Sequence, residues 1–356
     1  MCHKIKQNTM TMWLVWNLER RGAALVLFAA LLGLVAADKS RPVYIIAHMV
    51  NSIGDFDEAM EGGANAVESD VSFSEDGTAA KLFHGLPCDC FRECEAEEDV
   101  GAFLEYVRKS TSADGGQYRD KLALLFFDLK VSDLDEERKY AAGFDITQKL
   151  LHNLWHGVPF PEAVNVLFSI PSVTDQEVLR GAIDSISGYN STLLDKIGFD
   201  VSDNDELDNI SKMYERLGIQ RHRWQGDGIT NCLSYLRSAD RLQGVIDNRD
   251  SQGQERYIEK AYDWTLDLPE EIRRSLRRGV DGIITNRPER MAMIMQESEF
   301  KDILRPANVL DNPWTRFVGP SPLPRLSTND LSHLKDDDLV STIEDAFNFL
   351  GRIFSQ

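Results

Sequence analysis

The 356-residue sequence predicts an α/β fold of the (β/α)8, or TIM-barrel, type. Three observations lead there. From Val43 to about Met295, short β-rich apolar runs alternate with amphipathic helical stretches, the signature of repeated β-then-α units. Residues suited to catalysis stand at or near the carboxyl ends of those runs, the face that carries the active site in barrel enzymes. No Gly-x-Gly-x-x-Gly follows the first run, which weakens the dinucleotide version of the alternative, a doubly wound open sheet.

Taken in order, the runs that read as strands are Val43–Ala47, Ala66–Val71, Lys81–Phe83, Leu122–Leu129, Val164–Ser169, Lys196–Asp200, His222–Gln225, Gly244–Ile246, Ala261–Trp264 and Gly282–Thr285. The periodicity predicts helices over Val100–Lys109, Glu136–Trp155, Gln176–Ser185, Glu206–Leu217 and Glu270–Arg277. Residues 38–314 are expected to form the barrel as a single catalytic domain. Beyond it, Pro320, Pro322 and Pro324 mark a linker within 315–356. Leu339, Ile343, Phe347, Leu350 and Phe354 then recur at helical spacing, predicting an amphipathic helix. That helix either docks on the barrel or rests on a membrane surface; Asp336, Asp337, Asp338, Glu344 and Asp345 on its polar face disfavour anionic lipid.

The amino terminus reads as a secretory leader over residues 1–37. Glu19-Arg20-Arg21 precedes an apolar run from Ala23 to Val35, and Val35-Ala36-Ala37 offers small residues for cleavage before Asp38. The run is short for a transmembrane helix, with an uncleaved anchor as the alternative. Export also fits the cysteines. Outside the leader lie Cys88, Cys90, Cys94 and Cys232, which suggest two disulfides in one of three pairings. A zinc site is the rival, but the paired Cys-x-x-Cys spacing is missing. Asn190-Ser191-Thr192 and Asn209-Ile210-Ser211 are glycosylation sequons at Asn190 and Asn209. The formal net charge of −19 excludes a basic nucleic-acid stripe and disfavours anionic lipid. A zwitterionic or neutral substrate surface is easier to reconcile with it. Losing the leader removes Lys4, Lys6, Arg20 and Arg21 against Glu19, making the balance more negative.

The chemistry concentrates in Ala47-His48-Met49-Val50-Asn51, Glu68-Ser69-Asp70, Phe83-His84-Gly85 and Phe126-Phe127-Asp128-Leu129-Lys130. His48 and His84 can serve as general base and general acid near neutral pH. Glu68 and Asp70 alternate on a strand and so share a side, and Asp128 adds a third oxygen donor. Such a set suits magnesium, whose shell is completed by water and phosphate oxygens. Lys130, alternating with Asp128, would stabilise charge developing in the transition state. Each residue alone has a plainer role, as a strand-end ion pair or a structural histidine. Together they point to metal-assisted cleavage of a phosphodiester.

These segments carry a resemblance. With Gly63-Ala64-Asn65-Ala66-Val67-Glu68-Ser69-Asp70-Val71, His84-Gly85-Leu86-Pro87-Cys88-Asp89-Cys90, Gly226-Asp227-Gly228-Ile229-Thr230-Asn231, Tyr262-Asp263-Trp264 and Gly279-Val280-Asp281-Gly282-Ile283-Ile284-Thr285-Asn286, the chain resembles the arthropod sphingomyelinase D and phospholipase D toxins of spiders and ticks. These belong to the glycerophosphodiester phosphodiesterase-like barrels. The resemblance covers about residues 41–314. It implies Glu68, Asp70 and Asp128 as ligands of one magnesium ion and His48 and His84 as the acid–base pair. Lys130 and Asn286 would hold the phosphate. Tyr262 and Trp264 would face the quaternary ammonium, and Asp267 would help position its loop. The implied disulfides are Cys88–Cys94 and Cys90–Cys232, and residues 307–314 are similar to the family's barrel-plugging tail. The implied reaction releases choline from sphingomyelin, and from lysophospholipids in some members. It leaves ceramide 1,3-cyclic phosphate, or ceramide 1-phosphate if water attacks. The acidic run Glu95, Glu97, Glu98, Asp99 departs from the aromatic-rich loop of the family. The expected protein is thus a secreted monomer acting on a choline phospholipid at a membrane surface, without nucleic acid. A glycerophosphodiesterase of soluble substrates and a secreted binding protein with a decayed site are the alternatives.

Overall fold

The computed structural model describes residues 40–317 apart from residue 254. The expected leader, and the proline linker and amphipathic helix beyond residue 317, lie outside the described residues. The strands are β1 (Arg41–Ala47), β2 (Ala66–Phe73), β3 (Ala79–Leu82), β4 (Glu98–Asp99), β5 (Leu124–Lys130), β6 (Val166–Ile170), β7 (Ile197–Val201), β8 (Trp224–Gly228), β9 (Lys260–Trp264), β10 (Gly282–Thr285) and β11 (Leu304–Pro306). Eight of them form a parallel sheet in the order β7-β6-β5-β2-β1-β10-β9-β8. A parallel bridge between Phe199 and Arg223 joins the two outer strands, so the sheet closes as a (β/α)8 barrel. β3 and β4 are an antiparallel excursion from β2.

The helices are α1 (Ile53–Glu61), α2 (Val100–Ser110), α3 (Glu136–Lys149), α4 (Gln176–Asn190), α5 (Leu207–Leu217), α6 (Asp240–Asp250), α7 (Pro269–Arg278) and α8 (Pro288–Ile294). Among the described residues none is long and apolar enough to cross a membrane. Local chemistry sets several ends. Ser52 and Asp135 accept from backbone N–H groups to cap α1 and α3, and Pro269 and Pro288 open α7 and α8.

Three readings of the sequence are corrected. Gly244–Ile246 is not a strand; it lies inside α6, whose buried Leu242, Val245, Ile246 and Arg249 follow the helical spacing of three and four. A three-residue apolar run is too short to carry its own period. The Lys81–Phe83 run belongs to β3, outside the barrel ring. The helix expected to reach Trp155 ends at Lys149 and continues as a π turn over Leu150–Leu154. α1, α6 and α8 were not anticipated as helices.

Two cores result. Outward-facing residues such as Val43, Ile45, Val67 and Leu125 pack under the helices. Inward-facing Tyr44, Ile46, Leu124, Phe126, Leu167, Trp224 and Tyr262 fill the barrel together with Ala307 and Trp314. The Asp311–Trp314 turn lies against the start of β7 and β8. Trp314 Nε1 donates to Asp195 O at 2.9 Å, Trp224 Nε1 donates to Pro313 O at 2.9 Å, and the Trp314 ring stacks on His222. Gly198 makes this possible, since a Cβ there would stand 2.1 Å from the Trp314 ring.

A buried charge network ties β1, α6, β9 and the start of β10. Asp281 accepts from Arg249 at 2.6 Å and from the Ala261 N–H at 2.9 Å, with Lys260 Nζ at 3.5 Å. Burial alone would raise the Asp281 carboxyl, but Arg249, Lys260 and Arg41 outweigh it and hold it at about 2, below its ordinary 3.8. A depressed folded value means that this stability is present above pH 4 and is lost as pH falls toward 2, on the order of 2 kcal/mol in all. Asp281→Asn should therefore lower urea-unfolding stability by about 3 kcal/mol at neutral pH, because buried cations lose their partner. The gap from the parent should narrow below pH 4. An unchanged denaturation midpoint would refute this account of the network.

Candidate active site

Register brings the acidic residues together. Parallel pairing places Glu68 beside Phe126, Asp70 beside Asp128 and Ser72 beside Lys130. The even-numbered residues of β2 and β5 share the inward side, so Glu68, Asp70, Asp128 and Lys130 rise in steps at the carboxyl end of the barrel. One oxygen from each of Glu68, Asp70 and Asp128 lies within 4.8 Å of the others. Glu68 and Asp70 are buried, and Asp128 is partly so.

Strand ends and loops aim these groups. Met49, at φ 53, occupies the left-handed region that side chains disfavour, and its N–H donates to Glu68 Oε2 at 2.7 Å. Asn51 Nδ2 donates to Asp70 Oδ2 at 2.8 Å while Asn51 Oδ1 accepts from the Asp70 N–H at 2.9 Å. Lys130 Nζ bridges Asp70 Oδ1 at 2.8 Å and Asp128 Oδ2 at 2.6 Å. Burial works against the ammonium, yet Asp128, Asp70 and Glu68 raise its pKa well above the usual lysine range. Burial also opposes ionisation of Asp70, but Lys130, His84 and the Asn51 bond hold it below the usual carboxylate value.

Burial and the Asp70 charge push the Glu68 carboxyl up to about 8, so ionising it beside Asp70 is costly when no cation balances the charge. Asp128 Oδ1 is buried without a hydrogen-bond partner. Orphaned oxygen, three converging carboxylates and excess negative charge together fit a hard divalent cation.

The histidines flank this cluster, with ring centroids 6.4 Å apart and planes at 84°. His48 Nδ1 lies 3.1 Å from both Asp89 Oδ2 and Asn286 Oδ1, which leaves Nε2 on the cluster side, 3.9 Å from Glu68 Oε2. Burial lowers the His48 pKa, but the Asp89 hydrogen bond and the Glu68 charge overcome it and raise it to about 9. His84 Nδ1 lies 2.8 Å from Gly85 O, an arrangement that assigns the proton to Nδ1 and presents Nε2.

Asp89 is the residue that sequence reading passed over. It accepts from Thr230 Oγ1 at 2.7 Å and from Asn286 Nδ2 at 3.0 Å, and its carboxyl lies far below the usual range despite burial. Its one signal was its place between Cys88 and Cys90. Asp267 gathers the neighbouring strands, accepting from the Asn286 N–H at 2.8 Å, Asn286 Nδ2 at 2.9 Å and Asn231 Nδ2 at 2.7 Å. The Asn286 amide is thus shared among Asp89, Asp267, His48 and Arg92, whose Nη1 donates to Asn286 Oδ1 at 2.8 Å.

Disulfides Cys88–Cys94 and Cys90–Cys232 close the loops that hold Asp89 and Asn231. This is the pairing that the resemblance implied. Tyr262 is 1% exposed, packs against Phe126, and donates its hydroxyl to Asp200 Oδ2 at 2.8 Å. It stands in the barrel interior rather than at the open mouth, and Trp264 is only partly buried. Gly226 leaves room for the Tyr262 ring, 2.3 Å from where a Cβ would stand. Register sets Asp200 level with Ser169 and Asp128, and burial raises its carboxyl to about 7. Its strand was legible, but its role was not. Asn190 and Asn209 are both exposed.

The His48–Asp89 bond makes a checkable statement. Asp89→Asn removes the carboxylate that favours the imidazolium, so His48 should titrate at least about one unit lower in a histidine NMR titration of the metal-free protein. A midpoint that stays near 9 would show that Asp89 does not set it.

The family model described as Dermonecrotic toxin SPH matches residues 38–314. The chain is 53% identical over 282 residues to Dermonecrotic toxin SPH of Ixodes scapularis, covering 79% of this chain and 78% of that protein. It is 40% identical over 281 residues to Dermonecrotic toxin LlSicTox-betaIA1 of Loxosceles laeta, covering 79% of this chain and 91% of that protein. A solved glycerophosphoryl diester phosphodiesterase from Parabacteroides distasonis aligns at 16% identity and TM-score 0.46 over 79% of this chain and 93% of that one, a likeness too loose to carry an argument. The chain therefore belongs to the dermonecrotic toxin SPH family, the arthropod sphingomyelinase D and phospholipase D toxin enzymes.

Proposed function

We propose that this chain is a secreted, magnesium-dependent phospholipase D-type enzyme, a sphingomyelinase D that releases choline from sphingomyelin and from lysophospholipids. The observation that carries this reading is the pair of histidine rings 6.4 Å apart across three converging carboxylates. Two imidazoles beside one acidic cluster suit a phosphodiester acted on by one as base and the other as acid.

Glu68, Asp70 and Asp128 would hold the magnesium, which when bound neutralises phosphate charge and orients the phosphate oxygens. His48, anchored at Nδ1 by Asp89 and Asn286, uses Nε2 to take the proton from the substrate hydroxyl as that oxygen bonds to phosphorus. His84, in its doubly protonated form with Nδ1–H held by Gly85 O, would give its Nε2 proton to the choline oxygen as the phosphorus–oxygen bond breaks. The products are free choline and ceramide 1,3-cyclic phosphate, or ceramide 1-phosphate where water replaces the substrate hydroxyl. His48 must be neutral to act as base, so the Asp89 hydrogen bond and the neighbouring carboxylates, which favour its imidazolium, have to be offset. Lys130 would stabilise charge growing on the phosphate, and Trp264 would meet the choline ammonium. Two disulfides support the exported setting.

Two measurements test the reading. Phosphorus NMR on sphingomyelin and lysophosphatidylcholine should show head-group release with magnesium and its loss with chelator. His48→Ala and His84→Ala should each reduce turnover by about 100-fold or more. Release of glycerophosphocholine products with none from sphingomyelin would overturn the lipid assignment. Separately, calorimetry with magnesium at pH 7 should show proton release on binding, because a cation at the carboxylates displaces protons shared by Glu68 and His48. Asp128→Asn should weaken that binding about tenfold or more. Binding without proton exchange would contradict the shared-proton cluster.

A further inference from the structure

Two loops beside the site carry large apolar side chains to the surface. The loop between β3 and β4 exposes Leu86 by 89% and Phe91 by 65%; the loop after β8 exposes Leu233 by 41%, Tyr235 by 46% and Leu236 by 68%. The two loops are far apart in sequence and tied together in space. Cys90 and Cys232, 142 residues apart, are joined with their Cα atoms 5.8 Å from each other, and Phe91 and Leu233 directly follow them. Asn231 doubles the tie, since its Oδ1 accepts from the Cys90 N–H and its Nδ2 donates to Cys90 O, both at 3.0 Å. Phe91 itself sits at φ 65, a backbone cost accepted beside the disulfide.

The rim is continuous with the reacting groups. Asp89, one residue before Cys90, touches His48, and Asn231, one residue before Cys232, donates to Asp267. Single exposed apolar residues are ordinary, but five on one covalently tied rim at a site mouth mark an interaction surface. Its electrostatics narrow the partner. Glu93 and Glu95 are exposed on the same loop, Glu97 pairs with Lys81, and the whole chain carries −19. An anionic surface would repel this rim within a Debye length, whereas a neutral one would admit its apolar side chains.

We propose that the stapled rim of Leu86, Phe91, Leu233, Tyr235 and Leu236 is the docking surface for an electrically neutral lipid layer, and that the acidic residues beside it exclude anionic membranes. The inference rests on the lipid reading of the site and adds how the mouth reaches a headgroup. Leu86, Phe91 and Leu236 enter the interfacial region. The phosphate plane then lies against the mouth, while Glu93 and Glu95 remain on the water side.

The test uses the full chain and sedimentation with phosphatidylcholine vesicles. Paired Leu86→Ser and Leu236→Ser changes should weaken vesicle binding by about tenfold or more, from the lost burial of two leucines. They should leave turnover of monomeric lysophosphatidylcholine, below its micelle concentration, unchanged, which also certifies folding. Raising the phosphatidylserine fraction should reduce binding by the parent, and paired Glu93→Gln and Glu95→Gln changes should restore part of it. Equal vesicle binding by the leucine variant and the parent would overturn the proposal. So would tighter binding on phosphatidylserine, or a concentration-dependent dimer, lost in the leucine variant, in place of vesicle binding. A parent that binds vesicles through these leucines yet releases no head group would sink the enzymatic reading and leave the docking surface standing.

Discussion

Three carboxylates drawn out of water into one end of a barrel repel one another, and most of the surrounding architecture answers that repulsion. Lys130 bridges two of them, the Met49 N–H meets the third, and His48 stands over the cluster from the next strand. Even so the compensation is incomplete: Glu68 is pushed up to about 8 and Asp128 keeps an orphaned oxygen. A site left short of positive charge could hold a cation, and three carboxylates within 4.8 Å of one another supply the oxygen donors.

The same electrostatics explains why the supporting shell is rich in amide and acid groups. An imidazole beside three carboxylates would rotate or hold a proton on the wrong nitrogen without a second anchor. Asp89 supplies that anchor, and Asn286 ties Asp89 to Asp267. The residues come from loops and strands that only a closed barrel brings together. The disulfides then hold the loop that carries Asp89 against the loop after β8. The Asp89 anchor of His48 and the apolar rim thus share one covalent tie, so the loops that order this histidine also order the surface proposed to meet lipid.

At the opposite end the problem is different. The barrel interior is filled by Tyr44, Phe126, Leu167 and Trp224, and the chain returns to close it with Ala307 and Trp314. Glycine at 198 and 226 is the counterpart of two large rings, Trp314 and Tyr262. Large and small residues face each other inside a narrow barrel because each of these two rings takes the space that a side chain opposite it would need.

Much of this was legible in the sequence. The alternation of β-rich and helical stretches determined the barrel, because each period reports which side of an element is buried. His48, Glu68, Asp70, Asp128 and Lys130 could be picked out because alternate strand residues share a face and strand ends form the reactive side of a barrel. What the sequence could not decide was contact across long separations. His48 meets Asn286 across 238 residues, Tyr262 meets Asp200 across 62, and Asn231 meets Cys90 across 141. None of these pairs leaves a periodic trace. α6 shows the same limit locally, where a short apolar run had a strand's composition and a helix's environment. The sequence by itself determined the fold class and the chemical inventory, since both follow from residue type and local period. Tertiary structure alone decided which side chain orients which, because barrel closure and strand register set those distances.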